Sequence, residues 1–408
     1  MPAPAVITLG CRMNLAESET LRRLVAGQDV TVINSCAVTE AAVRDTRAAI
    51  RRAAAERPGM PVVVTGCAAE IAGEQLAAMP EVARLVPNAA KLLPESWNAA
   101  PSNNPPVPFA GHARAFVDVQ NGCDHRCTFC IIPAGRGPSR SQPAGAVIDR
   151  IHGFVEAGHR EVVLTGVDLT SYGPDLPGAP TLGSLVERIL RHVPRLERLR
   201  LSSTDGAEVD ERLFALLTQE RRVMPHVHLS LQAGDDLILK RMRRRHSRAA
   251  AVALVERLKA ARPEIAIGAD LIAGFPTETE EQAANTLAIL DDCDVVHAHV
   301  FPYSPRPGTP AARMPQVPVA VAKARAAALR THAAARRARW LAGLVGTQQS
   351  VLVERPSTRG HAPCFAELHW ATPLPLGAIA TCRVTGFDGA RLHATPIGTA
   401  AEPVATAA

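Results

Sequence analysis

Short apolar runs and longer amphipathic stretches take turns along this chain. In the first hundred residues, apolar runs at 6–9, 30–33 and 62–65 are each followed by a stretch with helical spacing, and a weaker run lies at 84–86. Strands that alternate with helices in this way imply a parallel sheet with right-handed crossovers. Asn14, with Glu17 three residues on, reads as the N-cap of the first helix. Thr39 reads as the cap of a second helix ending near residue 57, before Pro58-Gly59, and a third helix is expected over 70–79.

Residues 95–112, rich in Pro, Asn, Ser and Ala, read as a linker closing a first module at 1–94. A longer alternation follows, with strands expected at 115–119, 161–165, 196–202, 226–231, 266–272 and 294–301 and helices between them. A basic helix over 317–344 ends this module, which spans 113–344. Six βα units suit a partial barrel better than a full eightfold one. Over 345–400 the pattern shortens to β-rich runs at 350–353, 364–369, 379–385 and 391–396, separated by Gly and Pro turns, which suggests a small antiparallel barrel before a tail at 401–408. The expected class is α/β: an N-terminal flavodoxin-like parallel-sheet domain, a partial (β/α)6 barrel and a small C-terminal β-barrel.

Composition changes this picture in three places. Aromatic residues make up only 3% of the chain, so helices must pack through Ala, Leu and Val. A formal charge of +6 makes a polyanionic partner plausible. The first residues lack a basic stretch leading into an apolar core, and no run of about 18 uncharged apolar residues occurs, so the expectation is a cytoplasmic protein without a membrane span. In that compartment nine cysteines point to metal binding or catalysis before disulfides.

Cys123, Cys127 and Cys130 lie within eight residues, directly after the 115–119 strand. Soft thiolates select zinc, copper(I) or iron–sulfur clusters. A [4Fe–4S] cluster has four irons, and three thiolates leave one iron open to an external ligand such as the amino and carboxylate groups of S-adenosylmethionine. A structural zinc site, with His125 or a distant residue as fourth ligand, is the alternative. His125 itself reads as a solvated loop residue.

Cys11, Cys36 and Cys67 follow the first, second and third strands. In an open parallel sheet these strand ends share one edge, where ligands bind, so three cysteines distant in sequence can meet. Against this stands the plain reading of three small buried residues. Cys293, Cys364 and Cys382 have no such setting and read as core or incidental residues.

In the barrel, residues 165–173 and 268–278 fall at strand ends where barrel active sites are built. Gln232 ends a strand where it can reach the centre, and Gly274 offers backbone that can approach a nucleoside closely. Residues 240–248 carry six Lys/Arg and no acid, as does 323–339. Lys240, Arg241, Arg243, Arg244 and Arg245 are the candidate phosphate contacts, with a solvated charged face as the plain alternative.

The CxxxCxxC spacing with Phe129 before its last cysteine resembles the signature of the radical S-adenosylmethionine superfamily, and residues 121–140 resemble its methylthiotransferase family. The segments 165–173, 228–236, 268–278 and 299–315 follow in family order, with Ala233, Asp235 and Thr277 departing from the usual wording. The resemblance implies a radical-cluster [4Fe–4S] on Cys123, Cys127 and Cys130, and an auxiliary one on Cys11, Cys36 and Cys67 that handles the inserted sulfur. It further implies S-adenosylmethionine contacts near Phe129, Gln232 and Gly274, an RNA-binding TRAM-like terminal barrel, tRNA as partner, and an electron donor of flavodoxin or ferredoxin type. Arg306, in the 299–315 block, can meet cofactor or substrate, or form a surface salt bridge. Segments 229–232, 240–245 and 299–312 look most like the branch that places a methylthio group at C2 of N6-threonylcarbamoyladenosine, tRNA position 37. Branches acting on isopentenyladenosine or on a ribosomal-protein aspartate, and a zinc-stabilised RNA-binding protein without catalysis, remain as alternatives.

Overall fold

The computed structural model describes residues 5–100 and 111–399; most of the expected linker, 101–110, and the tail at 401–408 lie outside the described residues. β1 (Ala5–Thr8), β2 (Thr31–Ser35), β3 (Val62–Gly66) and β4 (Val82–Leu85) form one parallel sheet in sequence order. Leu21 and Val25, from α1 (Arg12–Leu24) and its end, cover Val32 and Val63 on one face. Val43 and Ile50 of α2 (Glu40–Glu56) cover Ile33, Val62 and Val64 on the other. Burial on both faces is why β2 and β3 are dominated by Val and Ile, without a regular alternation of apolar and polar residues.

Three local expectations are corrected. The Thr39 hydroxyl does accept from the Ala42 N–H and cap α2, but Asn14 does not cap α1. That helix starts earlier, at Arg12, because Gly10 at φ 94° turns the chain at once. The Asn14 amide instead donates to the carbonyls of Leu9 (2.6 Å) and Ser35 (2.9 Å), tying two strand ends together. The third helix is broken into α3 (Cys67–Ile71) and α4 (Gly73–Ala77), with the weak helix former Gly73 at the break. The chain is still packed at Trp97, which is 1% exposed and donates its indole N–H to the Lys91 carbonyl, so the expected linker start at 95 is too early.

The second module is an open barrel of parallel strands: β5 (Arg114–Asn121), β7 (Glu161–Gly166), β8 (Arg198–Leu201), β9 (Ser203–Thr204), β10 (His226–Gln232), β11 (Ala266–Ala273) and β12 (Val295–Pro302). The strand expected at 196–202 is β8, two residues later in its start, a break at Ser202 separates it from β9, and β6 (Arg140–Ser141) pairs antiparallel with β5. Helices α5 (Ile132–Arg136), α6 (Ala144–Glu156), α7 (Leu182–His192), α8 (Glu211–Gln219), α9 (Asp236–Met242), α10 (Arg248–Ala261), α11 (Glu280–Asp292) and α12 (Val319–Ala342) fill the connections and flank. Among the described residues no helix is long and apolar enough to cross a membrane.

The last module is a closed barrel in the order β13 (Gln348–Glu354), β14 (Arg359–His361), β15 (Glu367–His369), β17 (Leu392–Thr399), β16 (Ile379–Phe387). It has one strand more than expected, because β14 is Arg-Gly-His and carries no apolar signal. The β15–β17 pair is parallel, so the barrel is not wholly antiparallel. It plugs the N-terminal end of the larger barrel through charge: buried Glu161 takes Arg114 (2.5 Å) and Arg200 (3.0 Å), and Arg114 also pairs with Glu354 of β13. Phe365, from the plug, lies 4.9 Å from the Arg200 guanidinium.

Candidate active site between two cysteine triads

The loop after β5 is pinned from several sides. The Cys123 N–H donates to the Gly137 carbonyl, the Thr128 N–H to Met242, the Thr128 hydroxyl to the Arg241 carbonyl, and the Ala311 N–H to the Thr128 carbonyl. A turn so held presents its three thiols together. The Cys123 thiol faces Asp168 at 3.6 Å, and an Arg244 N–H faces the Cys127 sulfur at 3.7 Å. Burial pushes the Cys123 thiol up to about 12 and that of Cys130 to about 11. Such groups give up their protons when a metal centre compensates the thiolate charge.

Beside this loop a cavity of about 310 Å³ is lined by Cys130, Phe129, Gln232, Asp270 and, from the first module, Val38 and Thr39. Phe129 packs edge-on against Phe275 at 6.4 Å, and Gln232 adopts φ 68° where β10 leaves its register. Two of the three expected cofactor contacts therefore face one space. Gly274 does not. A Cβ there would sit 2.3 Å from the Ala322 Cβ, so its close approach is to α12 rather than to a ligand.

The other triad is assembled from three strand ends. Cys36 follows β2 and Cys67 follows β3 directly, while Cys11 stands three residues beyond β1. Burial, chiefly, raises the Cys36 thiol, and Cys11 and Cys67 are close enough to raise it further. A Cβ on Gly10 would lie 2.8 Å from the Cys36 sulfur, so only glycine lets the first turn pass over it. Behind the triad lies a buried charge network. Lys91 reaches Glu17 at 2.6 Å, and Arg136 reaches Glu17 at 2.9 Å, Asn14 at 2.5 Å and Asn121 at 2.9 Å. Burial opposes the charge of Arg136, but Glu17 and then Cys67 overcome it and raise its pKa. Arg136 ends α5, the helix that begins two residues after Cys130, and the Cβ position on its neighbour Gly135 falls 3.4 Å from the Cys67 Cβ. One short helix thus joins the two triads.

The donor sets fit a cluster better than a single ion. Thiolates sharing one tetrahedral zinc lie roughly 3.8 Å apart, as follows from Zn–S bonds of about 2.3 Å. Yet neither triad appears among the described groups whose ligand atoms all fall within 4.8 Å. Of the two described groups that do, His228 with Asp270 and His299 holds none of these cysteines, and Cys123 with His125 and Asp168 has His125 Nε2 only 2.7 Å from Asp168 Oδ2. That is shorter than the roughly 3.3 Å expected across a tetrahedral ion and is a hydrogen bond. It also corrects the reading of His125 as a solvated residue: the Asp168 hydrogen bond raises its pKa.

The basic run at 240–248 divides. Arg244 and Arg245 both bind Asp205 (3.0 and 3.1 Å), Arg245 also binds Glu208, and Arg241 donates to the Thr277 carbonyl. Asp205 turns Arg244 inward, its side chain only 9% exposed, whereas Lys240, Arg243 and Arg245 are exposed, Arg245 while also paired with Asp205 and Glu208. Arg306 is 4% exposed and lines a second space with Cys127 and Cys130, so it is no surface salt bridge, although it approaches Glu40 at 3.5 Å. Cys293, Cys364 and Cys382 are buried away from both triads. Sequence reasoning missed Arg136, Asp168 and the Glu17–Lys91 pair. The first two lie inside segments already singled out, at 121–140 and 165–173; the pair gives no local signal.

Comparison with known proteins follows the same division. Residues 117–290 match the radical SAM superfamily, and residues 4–87 match a family described as uncharacterized protein family UPF0004. A protein of Rickettsia prowazekii (strain Madrid E) named threonylcarbamoyladenosine tRNA methylthiotransferase MtaB is 42% identical, over 94% of this chain and 95% of its own. A Chlamydia pneumoniae protein of the same name is 34% identical, over 89% and 90%. A protein of Erythrobacter litoralis (strain HTCC2594), named tRNA-2-methylthio-N(6)-dimethylallyladenosine synthase, is 35% identical, over 86% of each. Among solved structures, the radical S-adenosylmethionine methyltransferase TsrM from Kitasatospora setae aligns at TM-score 0.55 and 15% identity, over 74% of this chain and 69% of that one, a likeness of fold.

Proposed function

The chain belongs to the methylthiotransferase family of radical S-adenosylmethionine enzymes, and on that premise we propose that it replaces the C2 hydrogen of N6-threonylcarbamoyladenosine at tRNA position 37 with a methylthio group. Residues Cys123, Cys127 and Cys130 would hold one [4Fe–4S] cluster, and Cys11, Cys36 and Cys67 the second. The clusters and S-adenosylmethionine supply, when bound, one-electron chemistry at an unactivated C–H bond and the sulfur to be inserted. C2 of adenine carries no acidic hydrogen, so a general base has nothing to remove there.

The chain's own residues have narrower tasks. Phe129 and Gln232 would contact S-adenosylmethionine in the cavity beside Cys130, and Arg306 would offer a buried cation to the same region. Val38 and Thr39 bring the Cys36 strand end to that cavity, which keeps the inserted sulfur within reach of a nucleoside held there. The TRAM-like terminal barrel, with exposed Lys240 and Arg243, would meet the tRNA. The cytoplasm, where tRNA and a flavodoxin- or ferredoxin-type donor are found, is the compartment that suits this chemistry.

The observation that carries the reading is the packing of α5, the helix just after Cys130, against Cys67, which sets the strand-end triad beside the loop triad. The Erythrobacter relative supports dimethylallyladenosine as the second reading. Mass analysis of tRNA nucleosides from a deletion strain tests it: the 2-methylthio form of N6-threonylcarbamoyladenosine should vanish and return on complementation. Loss of the methylthio dimethylallyl nucleoside instead would reverse the substrate assignment.

A further inference from the structure

The relatives split between a threonylcarbamoyl substituent, which ends in a carboxylate, and a dimethylallyl group, which is wholly apolar. An enzyme that separates them needs a cation where the N6 substituent lies, because a carboxylate leaving water is costly unless it is paired.

A cavity of about 440 Å³ at the junction of all three modules has that character. Arg12 enters it from α1, His228 and His299 from the barrel strands, Arg330 and Arg337 from α12, and Phe365 from the terminal barrel. Among the described residues, Arg12, Arg330 and Arg337 form no ion pair or hydrogen bond; Arg12 has only a ring face, with Phe365 6.0 Å away. The acid in this lining, Glu367, is already taken by His369 (2.7 Å) and Arg359 (3.4 Å).

The cavity adjoins the candidate active site. Asp270 lines the space beside Cys130 and Gln232, and its Oδ1 stands 3.1 Å from both His228 and His299, which line the cationic cavity. The two spaces therefore share one wall. The N6 substituent leaves the purine in a different direction from the C2–H, so a base with C2 at the cysteine side can send its substituent past that wall.

We propose that this junction cavity receives the carboxylate of the threonylcarbamoyl group, with Arg12 as its principal partner and Arg337 as a second. The inference rests on the threonylcarbamoyl reading and deepens it, by naming residues that select the substituent. It also gives the terminal barrel a share in substrate choice, through Phe365 behind Arg12.

The test is binding by the reconstituted enzyme, measured by fluorescence anisotropy, to an anticodon stem–loop RNA carrying N6-threonylcarbamoyladenosine at position 37, and to the same RNA with adenosine or isopentenyladenosine there. The wild type should prefer the first. Arg12→Gln should weaken that RNA alone by about tenfold, the loss of one charge-assisted hydrogen bond. Equal weakening toward all three RNAs would mean a backbone phosphate contact, and no weakening would mean no contact; either overturns the cavity while leaving the substrate reading intact. A wild-type preference for the isopentenyl RNA would sink both. Because Arg12 adjoins Cys11, the iron content of the variant is measured alongside, and Arg337→Gln decides the matter if that content falls.

Discussion

The two cysteine triads reach the same end by opposite routes. Cys123, Cys127 and Cys130 come from one pinned loop, so their proximity is a local property of eight residues. Cys11, Cys36 and Cys67 span 57 positions of the chain and meet only because three parallel strands end on one edge. Their surroundings differ as well. The loop triad borders cavities, with Asp168 and Arg244 at hydrogen-bonding range of two of its sulfurs. The strand-end triad stands against a buried network in which Glu17 is bracketed by Lys91 and Arg136. A local triad tolerates a loose scaffold; a dispersed one depends on the whole sheet, and here also on an arginine lent by the neighbouring module.

The sharpest way to separate the triads is to remove one at a time. Cys127→Ala should abolish methylthiolation entirely and lower iron from roughly eight to roughly four per chain after anaerobic reconstitution. Methylthiolated product from that variant would contradict the assignment. Cys36→Ala should cost the same share of iron and all sulfur insertion, yet still cleave S-adenosylmethionine reductively at close to the wild-type rate. Normal insertion there would show that the strand-end site takes no part in the chemistry.

A smaller effect probes the scaffolds themselves. Arg136→Met leaves Glu17 with Lys91 alone in a buried site, and removing one partner of a buried charge network typically costs about 3–5 kcal/mol. Urea unfolding should report that loss, and the electronic spectrum should lose the strand-end cluster before the loop cluster. Equal loss of both clusters, or none, would mean that Arg136 does not bind the modules as the geometry implies.

Legibility in the sequence followed distance. The loop triad was readable from spacing, and the strand-end triad from the recurrence of a cysteine after each apolar run. Glu17 was misread as half of a capping box because its real partners, Lys91 and Arg136, are 74 and 119 positions away. Arg244 reads as part of a solvated basic run because the Asp205 that turns it inward lies 39 positions upstream. The strand β14 escaped notice because pairing with its neighbours, rather than apolar content, makes it a strand. Gly274 did mark a close approach, but the partner was Ala322 of α12.

What the sequence determined alone is whatever short-range chemistry and periodicity can specify: where strands buried on both faces begin, the cap at Thr39, and three thiols placed within one turn of chain. What waited for the tertiary structure is every feature whose partner lies far along the chain, including the buried charges behind Cys67 and the cationic junction around Arg12. The reason is electrostatic. A charged side chain reads the same in sequence whether it faces water or a distant buried acid, and only the folded chain decides which of the two it meets.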